Sequence, residues 1–418
     1  MRDTIFYASK DEKITPQEIA HADLARKLAG ECMVLLENDG VLPLKSRGEI
    51  ALYGNGVRKT IQGGTGSGSV NTRSITNIEK GFEEAGFTVA NKAWLDANDE
   101  HYKKMQEAYQ EWLGEEGKRR NVPPFLVSFD QPFSEPAPYT ISEEEVAGCK
   151  AKIAVYVISR NSGEGKDREY REGDYLFYPE ELDGIRNLIA GGKKLIVVLN
   201  IGGVMQLTEL KKIIGINAIV LMNQLGNLGG NALVDLISGA VTPSGKLADT
   251  WAVEYKDYPS SATFSHNNGN VDEEYYQEGI YVGYRYFDSF GVTPLYPFGY
   301  GLSYTSFDIK TVKVEQKSEF IAVSVKVRNT GDYYAGKEVV QIYLSKPQGQ
   351  MDMPYQELVA FQKTEELRPG EEECIDLEFP LELLAGYDTD SAAYLVEAGD
   401  YIAETASSPA PSRAASIA

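Results

Sequence analysis

Residues 160–168, Arg-Asn-Ser-Gly-Glu-Gly-Lys-Asp-Arg, form the stretch of this sequence with the clearest potential for chemistry. Glu164 lies between two glycines, which permit backbone shapes that turn a single carboxylate outward. Asp167 and Arg168 are neighbours and predict a local ion pair. A carboxylate presented in this way is a candidate for chemistry on a bound molecule. An ordinary polar surface loop with a salt bridge fits the same residues, so the stretch by itself leaves both interpretations open.

The elements around this stretch predict where it would lie. It directly follows an apolar run at 153–158, which is typical of a buried strand, and similar runs occur at 50–53, 195–199 and 218–222. Amphipathic helices are predicted between them, at 75–85, 100–113, 179–190 and 229–238. This alternation predicts an α/β fold with a doubly wound, mostly parallel sheet, an α/β sandwich. Sites form at the carboxyl ends of such strands, so residues 160–168 would lie at the functional edge.

The remaining segments predict further domains. A helix is predicted to begin at Thr15-Pro16, with Glu18 completing a capping box, and to end at Asp39-Gly40. Proline-rich residues 119–142 are interpreted as a long loop insertion. We therefore divide the chain as 15–250, the α/β sandwich domain; 251–307, a tyrosine-rich connector; 308–402, an antiparallel β-sandwich with period-two patterning; and 403–418, an Ala/Ser/Pro-rich tail expected to be disordered.

Composition argues against several classes of protein. Acidic residues outnumber basic ones by 62 to 41, and a net charge of −21 disfavours binding to nucleic acids and to anionic membranes. Three cysteines and three histidines are scattered, so we expect no disulfide framework, no metal site and no cofactor. The glycine-rich stretch 62–71 lacks the Lys-Ser/Thr pair of a phosphate loop. With neither an apolar leader nor a run of membrane-spanning length, a cytoplasmic location is expected.

An ordered series of motifs resembles the family 3 glycoside hydrolases of the β-glucosidase type. Residues 157–168, followed by Gly173-Asp174-Tyr175, resemble the acid/base loop of the bacterial members. Residues 35–44, 199–204, 229–236 and 243–247 resemble the family's α/β sandwich domain. Residues 278–287 and 297–307 resemble its connector, and 327–331 and 336–343 resemble its fibronectin type III-like domain. The resemblance extends over residues 15 to 402 and implies that 308–402 is that fibronectin type III-like domain.

The resemblance also implies roles for individual residues. Glu164 would be the general acid/base for retaining hydrolysis of a β-glucoside or oligosaccharide. The residues implied to contact the substrate are Arg160, Ser162, Asp167, Arg168, Gly66 and Ser67. A plain flexible loop fits Gly66 and Ser67 equally well. Where many relatives carry Gly-Gln-Glu-Gly-Gly, this chain has Gly-Asn-Leu-Gly-Gly at 226–230, which puts any sugar contact there in doubt.

The family's catalytic nucleophile is not recognisable in this sequence. In the family it is an aspartate of a Ser-Asp-Trp-like motif in a (β/α)8 barrel, and these 418 residues hold neither the motif nor room for the barrel. The order of motifs resembles the subgroup in which the barrel comes last. We therefore expect a module that needs a barrel domain or a second chain; the alternative is a non-catalytic carbohydrate-binding or assembly module. We also expect an apolar, aromatic-containing patch beside Glu164, buried in a homo-oligomer, with 119–142 as a lid.

Overall fold

The structure, a computed structural model, describes residues 12–68, 70–161, 163 and 167–407, together with the backbone of 414–417. The side chain of Ser67 is also outside the described part. The chain folds into an α/β domain followed by a β-sandwich, as predicted. Within the part of the chain that the structure describes, no helix combines the length and the apolar character that a membrane crossing needs.

A six-stranded sheet forms the centre of the α/β domain. Its strands are β1 (Val34–Asn38), β2 (Glu49–Tyr53), β3 (Thr88–Val89), β4 (Ile153–Arg160), β5 (Lys194–Ile201) and β6 (Ile216–Leu221). They are arranged in the order β1-β6-β5-β4-β2-β3, and every neighbouring pair is parallel except β1 with β6. Residues 154–160 and 195–201 are all buried, because β4 and β5 are covered on both faces. The predicted mostly parallel sheet is confirmed.

Helices pack against this sheet, and one short helix lies within the connector. They are α1 (Pro16–Cys32), α2 (Ile78–Glu84), α3 (Lys92–Arg120), α4 (Pro124–Asp130), α5 (Glu143–Gly148), α6 (Pro179–Ala190), α7 (Thr208–Lys211), α8 (Gly229–Ile237) and α9 (Tyr284–Ser289). The bounds of α6 coincide with the prediction because Pro179 marks its first turn and Gly191 follows its end. By contrast, α3 is 29 residues long, twice the predicted length.

Two predicted element bounds are wrong. The first helix ends at Cys32, and residues 34–38 form β1, which pairs with β6. The apolar run 33–36 fits a buried strand as well as a helix, so periodicity could not separate the two. The insertion 119–142 is also more ordered than a loop. It contains the end of α3, the left-handed Asn121 that terminates that helix, and all of α4, which begins at the prolines.

The β-sandwich consists of two antiparallel sheets and a hairpin. Its strands are β7 (Phe307–Gln316), β8 (Phe320–Asn329), β9 (Val339–Ser345), β10 (Glu357–Lys363), β11 (Glu372–Pro380), β12 (Gly386–Asp388), β13 (Ala393–Leu395), β14 (Tyr401–Ala406) and β15 (Ala414–Ile417). The sheets are ordered β10-β9-β14-β15 and β11-β8-β7, with β12-β13 as the hairpin. The boundary placed at residue 402 falls inside β14, because small residues gave 403–406 a weak hydrophobic signal although 403 and 405 are buried.

The tyrosine-rich connector packs against the edge and the core of the α/β domain. The Leu302 N–H donates to the Leu35 carbonyl at 2.8 Å, so the connector covers the outer edge of β1. The Trp251 N–H donates to the Tyr296 carbonyl at 2.9 Å, and both rings are buried in the α/β core. The Tyr304 hydroxyl donates to the Leu236 carbonyl at 2.9 Å. These parts of the connector therefore pack against the α/β domain, whereas its middle part is exposed at Val271, Tyr275 and Tyr276.

Candidate functional site

A cavity of about 710 Å³ lies at the carboxyl end of β4. One wall is the loop that follows this strand, a second is residues 169–174, and a third is the insertion between α3 and α5. Its lining residues include Thr65, Phe129, Asp130, Phe133, Glu135, Arg160, Asn161, Gly163, Asp167, Arg168, Arg171 and Asp174. Ser162 and Glu164, two of the candidate residues, lie outside the described residues, as do Gly165 and Lys166. The described residues on either side of Glu164 both face this cavity.

The glycine-rich stretch meets the loop after β4 at Gly163. Thr65 and Gly163 form a parallel β-bridge, and a Cβ atom on Gly163 would lie 2.2 Å from Thr65 Oγ1. Glycine at 163 therefore leaves room for the Thr65 side chain at this bridge. Gly66 follows the bridge with a φ of +82°, a conformation that favours glycine. The structure thus brings Gly66 beside the candidate loop; the side chain of Ser67 lies outside the described part.

Asn200, at the end of β5, holds this glycine-rich stretch in place. Its fully buried side chain accepts a hydrogen bond from the Ile61 N–H at 2.6 Å. Its amide donates to the Ile61 carbonyl at 3.0 Å and to the Asn223 carbonyl at 2.7 Å. The Asn200 side chain therefore connects the segment that follows β2 with the segment that follows β6. Asn200 belongs to the family-like motif 199–204 but had no predicted role. Its position at the end of a predicted strand could have marked it as a candidate residue near the site.

Arg160 is buried at the end of β4, where it links this strand to α6 and to residues 169–174. Its side chain is 4% exposed and forms a two-pronged ion pair with Glu181, at 2.9 and 2.6 Å. It also donates to the backbone carbonyls of Asp174 at 3.1 Å and Ser159 at 2.8 Å. Glu181 in turn accepts a hydrogen bond from the Tyr178 N–H, which caps the start of α6. Glu181 was not among the candidate residues predicted from the sequence, although it lies three residues after the N-cap of α6, where a glutamate is typical.

Arg168 forms its ion pair with a residue other than the predicted one. It contacts the Asp174 carboxylate through Nε and donates to the Asp174 carbonyl at 2.8 Å. The second carboxylate oxygen of Asp174 accepts from the Glu169 N–H at 2.8 Å. Because Asp174 fixes both ends of this turn, Arg168 points toward it and Asp167 is left exposed. The predicted pair of Asp167 with Arg168 is therefore wrong.

The insertion supplies a buried carboxyl group to the cavity wall. Glu135 Oε1 accepts a hydrogen bond from the Tyr102 hydroxyl at 2.9 Å, and the Tyr178 hydroxyl donates to the Glu135 carbonyl at 2.7 Å. Glu135 Oε2 is buried and has no hydrogen-bond partner among the described residues. Burial raises the pKa of Glu135 above the ordinary value of a carboxyl group. Glu135 therefore keeps its proton to a higher pH than an ordinary carboxyl group does, and it was not among the candidate residues singled out from the sequence.

Exposed apolar side chains occur on α1 and within the glycine-rich stretch. Ile19, Leu24 and Leu28 of α1 are each slightly more than half exposed, and Val70 is 71% exposed. Single exposed apolar side chains are normal on protein surfaces, so these four do not by themselves mark a partner surface. The aromatic-containing patch beside Glu164, and its burial in a homo-oligomer, stay predictions.

Comparison with known proteins places these features in a family. Residues 33–284 match the Glycosyl hydrolase family 3 C-terminal domain, and residues 338–408 match the Fibronectin type III-like domain. The chain is 34% identical to β-glucosidase A of Butyrivibrio fibrisolvens over 93% of this chain and 50% of that protein. It is 33% identical to thermostable β-glucosidase B of Acetivibrio thermocellus over 95% of this chain and 48% of that protein.

A solved structure extends the similarity to three dimensions. β-Glucosidase 3B from Thermotoga neapolitana, in complex with α-D-glucose, superposes with a TM-score of 0.83 at 37% identity. The superposition covers 96% of this chain and 54% of that one. The chain therefore spans about half the length of the relatives it matches.

Proposed function

This chain belongs to glycosyl hydrolase family 3, and on that premise we propose that it is a β-glucosidase-like module whose Glu164 is the general acid/base. The observation that carries the proposal is the cavity at the carboxyl end of β4. Gly163 and Asp167, the described residues nearest to Glu164 on either side, both line that cavity. This edge of a parallel sheet is where α/β domains hold their ligands.

The proposed chemistry is retaining hydrolysis of a β-linked glucoside. Glu164, protonated, donates a proton to the departing oxygen while a second carboxylate attacks the anomeric carbon. Glu164, now ionised, then takes a proton from the water that releases the sugar. The attacking carboxylate must lie about 5–5.5 Å from Glu164. We propose that it belongs to a barrel, in a further domain or a second chain, because the sequence has no recognisable nucleophile.

The residues around the cavity divide into two proposed roles. Asp167, which is exposed on the cavity wall, and Gly66, beside the bridge to Gly163, are proposed to contact the sugar. Ser162 and Ser67 keep the same proposed role, although their side chains lie outside the described part. Arg160 lines the cavity, but Glu181 and backbone carbonyls occupy its N–H groups, so we assign it to positioning the loop. Arg168 positions the same loop through Asp174.

The test is an assay with a barrel chain that supplies the nucleophile. We expect the isolated chain to hydrolyse aryl β-glucosides negligibly and the combined chains to turn them over. Glu164→Gln in the combination should abolish turnover of substrates with poor leaving groups, because these need a proton donor. The deficit should shrink for an activated leaving group such as dinitrophenol, which departs without protonation. Glu172→Gln is the matched control, since Glu172 is an exposed glutamate of the same segment and does not line the cavity.

Two outcomes would contradict the proposal. Turnover by the combination that is unaffected by Glu164→Gln would show that another group donates the proton. A combination that binds glucosides but never hydrolyses them would favour a non-catalytic carbohydrate-binding module.

A further inference from the structure

The outer wall of the cavity comes from the insertion between α3 and α5, which the acid/base chemistry does not require. We infer that this wall, centred on Phe129, binds the leaving-group sugar of a β-linked oligosaccharide. The inference rests on the proposed function for the direction of the substrate, with the scissile bond at Glu164 and the next sugar toward α4. It assigns the insertion a role in substrate selection.

The insertion is anchored firmly enough to hold a binding surface in place. Val127 of α4 is fully buried, and the Tyr109 hydroxyl of α3 donates to the Gln131 carbonyl at 2.7 Å. The Phe133 ring packs against Tyr102 and Tyr109, with centroids 5.8 and 5.3 Å apart. The contacts of Glu135 with Tyr102 and Tyr178 hold the far end. A surface fixed in advance loses little conformational entropy when a ligand binds.

Phe129 lies on this anchored segment with its ring in solvent. It lines the cavity and is 80% exposed, and its one ring neighbour among the described residues is Phe125, with centroids 6.5 Å apart. By contrast, Val127 of the same helix is fully buried. A rigid side chain with two rotatable bonds offers an apolar face at low entropic cost, and the C–H face of a pyranose ring is a matching surface.

Polar groups next to Phe129 favour a sugar over a flat aromatic leaving group. Asp130 lines the cavity and is held by Arg120 at 3.1 Å. Arg171 donates to Ser134 at 3.3 Å, which joins the insertion to the wall opposite. A carboxylate and a guanidinium on the walls of the same cavity supply an acceptor and donors for the hydroxyls of a sugar.

The test measures binding to the full chain without any barrel. Ligand-observed NMR titration would compare cellotriose with phenyl β-glucoside, and we expect the oligosaccharide to bind more tightly. Phe129→Ala should weaken cellotriose binding about five- to tenfold, in the range of one aromatic contact, while Phe129→Trp should retain it. Phe125→Ala is the matched control, because Phe125 is on the same helix and 59% exposed but does not line the cavity. It should change the affinity less than twofold.

Several results would overturn the inference. These are no detectable binding of cellotriose to the unaltered chain, equal affinity of the chain and Phe129→Ala, or tighter binding of phenyl β-glucoside. None of these depends on hydrolysis, so they are distinct from failure of the proposed function, which is decided by turnover of the combined chains after Glu164→Gln.

Discussion

Replacing Asn200 with alanine should destabilise the α/β domain and loosen the glycine-rich stretch. The side chain makes three hydrogen bonds, two to Ile61 and one to Asn223, in a fully buried position. At about 1 kcal/mol for each bond, Asn200→Ala should lower the free energy of unfolding by about 3 kcal/mol. That corresponds to a decrease of about 6–12 °C in the melting temperature of a domain of this size.

Thermal unfolding followed by circular dichroism would measure the effect, with Asn187→Ala as the control. The Asn187 amide makes one such bond, to the Ile141 carbonyl at 2.8 Å, so its loss should cost about 1 kcal/mol. Asn200→Asp keeps the shape but turns an oxygen toward two carbonyls in place of a donor, so it should destabilise at least as much as alanine. If Asn200→Ala lowered the free energy of unfolding no more than Asn187→Ala, the assignment of Asn200 as the residue that connects the segments of Ile61 and Asn223 would be refuted.

Two further predictions concern buried carboxyl groups. Glu181→Gln leaves the Arg160 charge buried without its partner and should cost about 3–5 kcal/mol in urea unfolding. Glu209→Gln, which removes an exposed pair with Lys212, should cost less than about 1 kcal/mol. Burial raises the pKa of Glu135, so its stabilising contribution is present at low pH. It is lost as the pH rises from the unfolded value of about 4.3 through the raised folded value. Glu135→Gln should remove that part of the pH dependence of the melting temperature, and an unchanged profile would contradict the shift.

The centre of the fold could be predicted from the sequence, because its signals are local. β4 and β5 are continuous apolar runs, and α6 carries a proline at its start and a glycine after its end. At β1 the local signal was ambiguous. Residues 33–36 are apolar throughout, and what makes them a strand is pairing with β6, nearly two hundred residues away. Such distant pairing leaves no mark on the short sequence window that a pattern reads.

In the site, too, some residues could be predicted from the sequence and others could not. A glutamate between two glycines after a strand could be identified as a candidate from residue types alone. The partners that shape the cavity could not, since Glu181 and Asp174 reach Arg160 and Arg168 only after the chain has folded back. Glu135 was hidden for a different reason. It stands in a proline-rich stretch that looks like surface loop, and its burial depends on Tyr102 and Tyr178 from two separate helical regions.

Because the connector covers the outer edge of β1, the position at which the chain is cut decides whether a fragment exposes that edge. An uncovered edge strand presents free N–H and C=O groups to other chains and promotes aggregation. Here the backbone at Leu302 and the side chains of Tyr296 and Tyr300 occupy that edge, the tyrosines through Glu37 and the Leu36 carbonyl. A fragment cut at residue 250 would expose β1 and leave Trp251 out of its core, whereas a cut after residue 306 would retain both. The α/β domain therefore needs the connector, as well as its own sheet and helices, to cover its edge strand and complete its core.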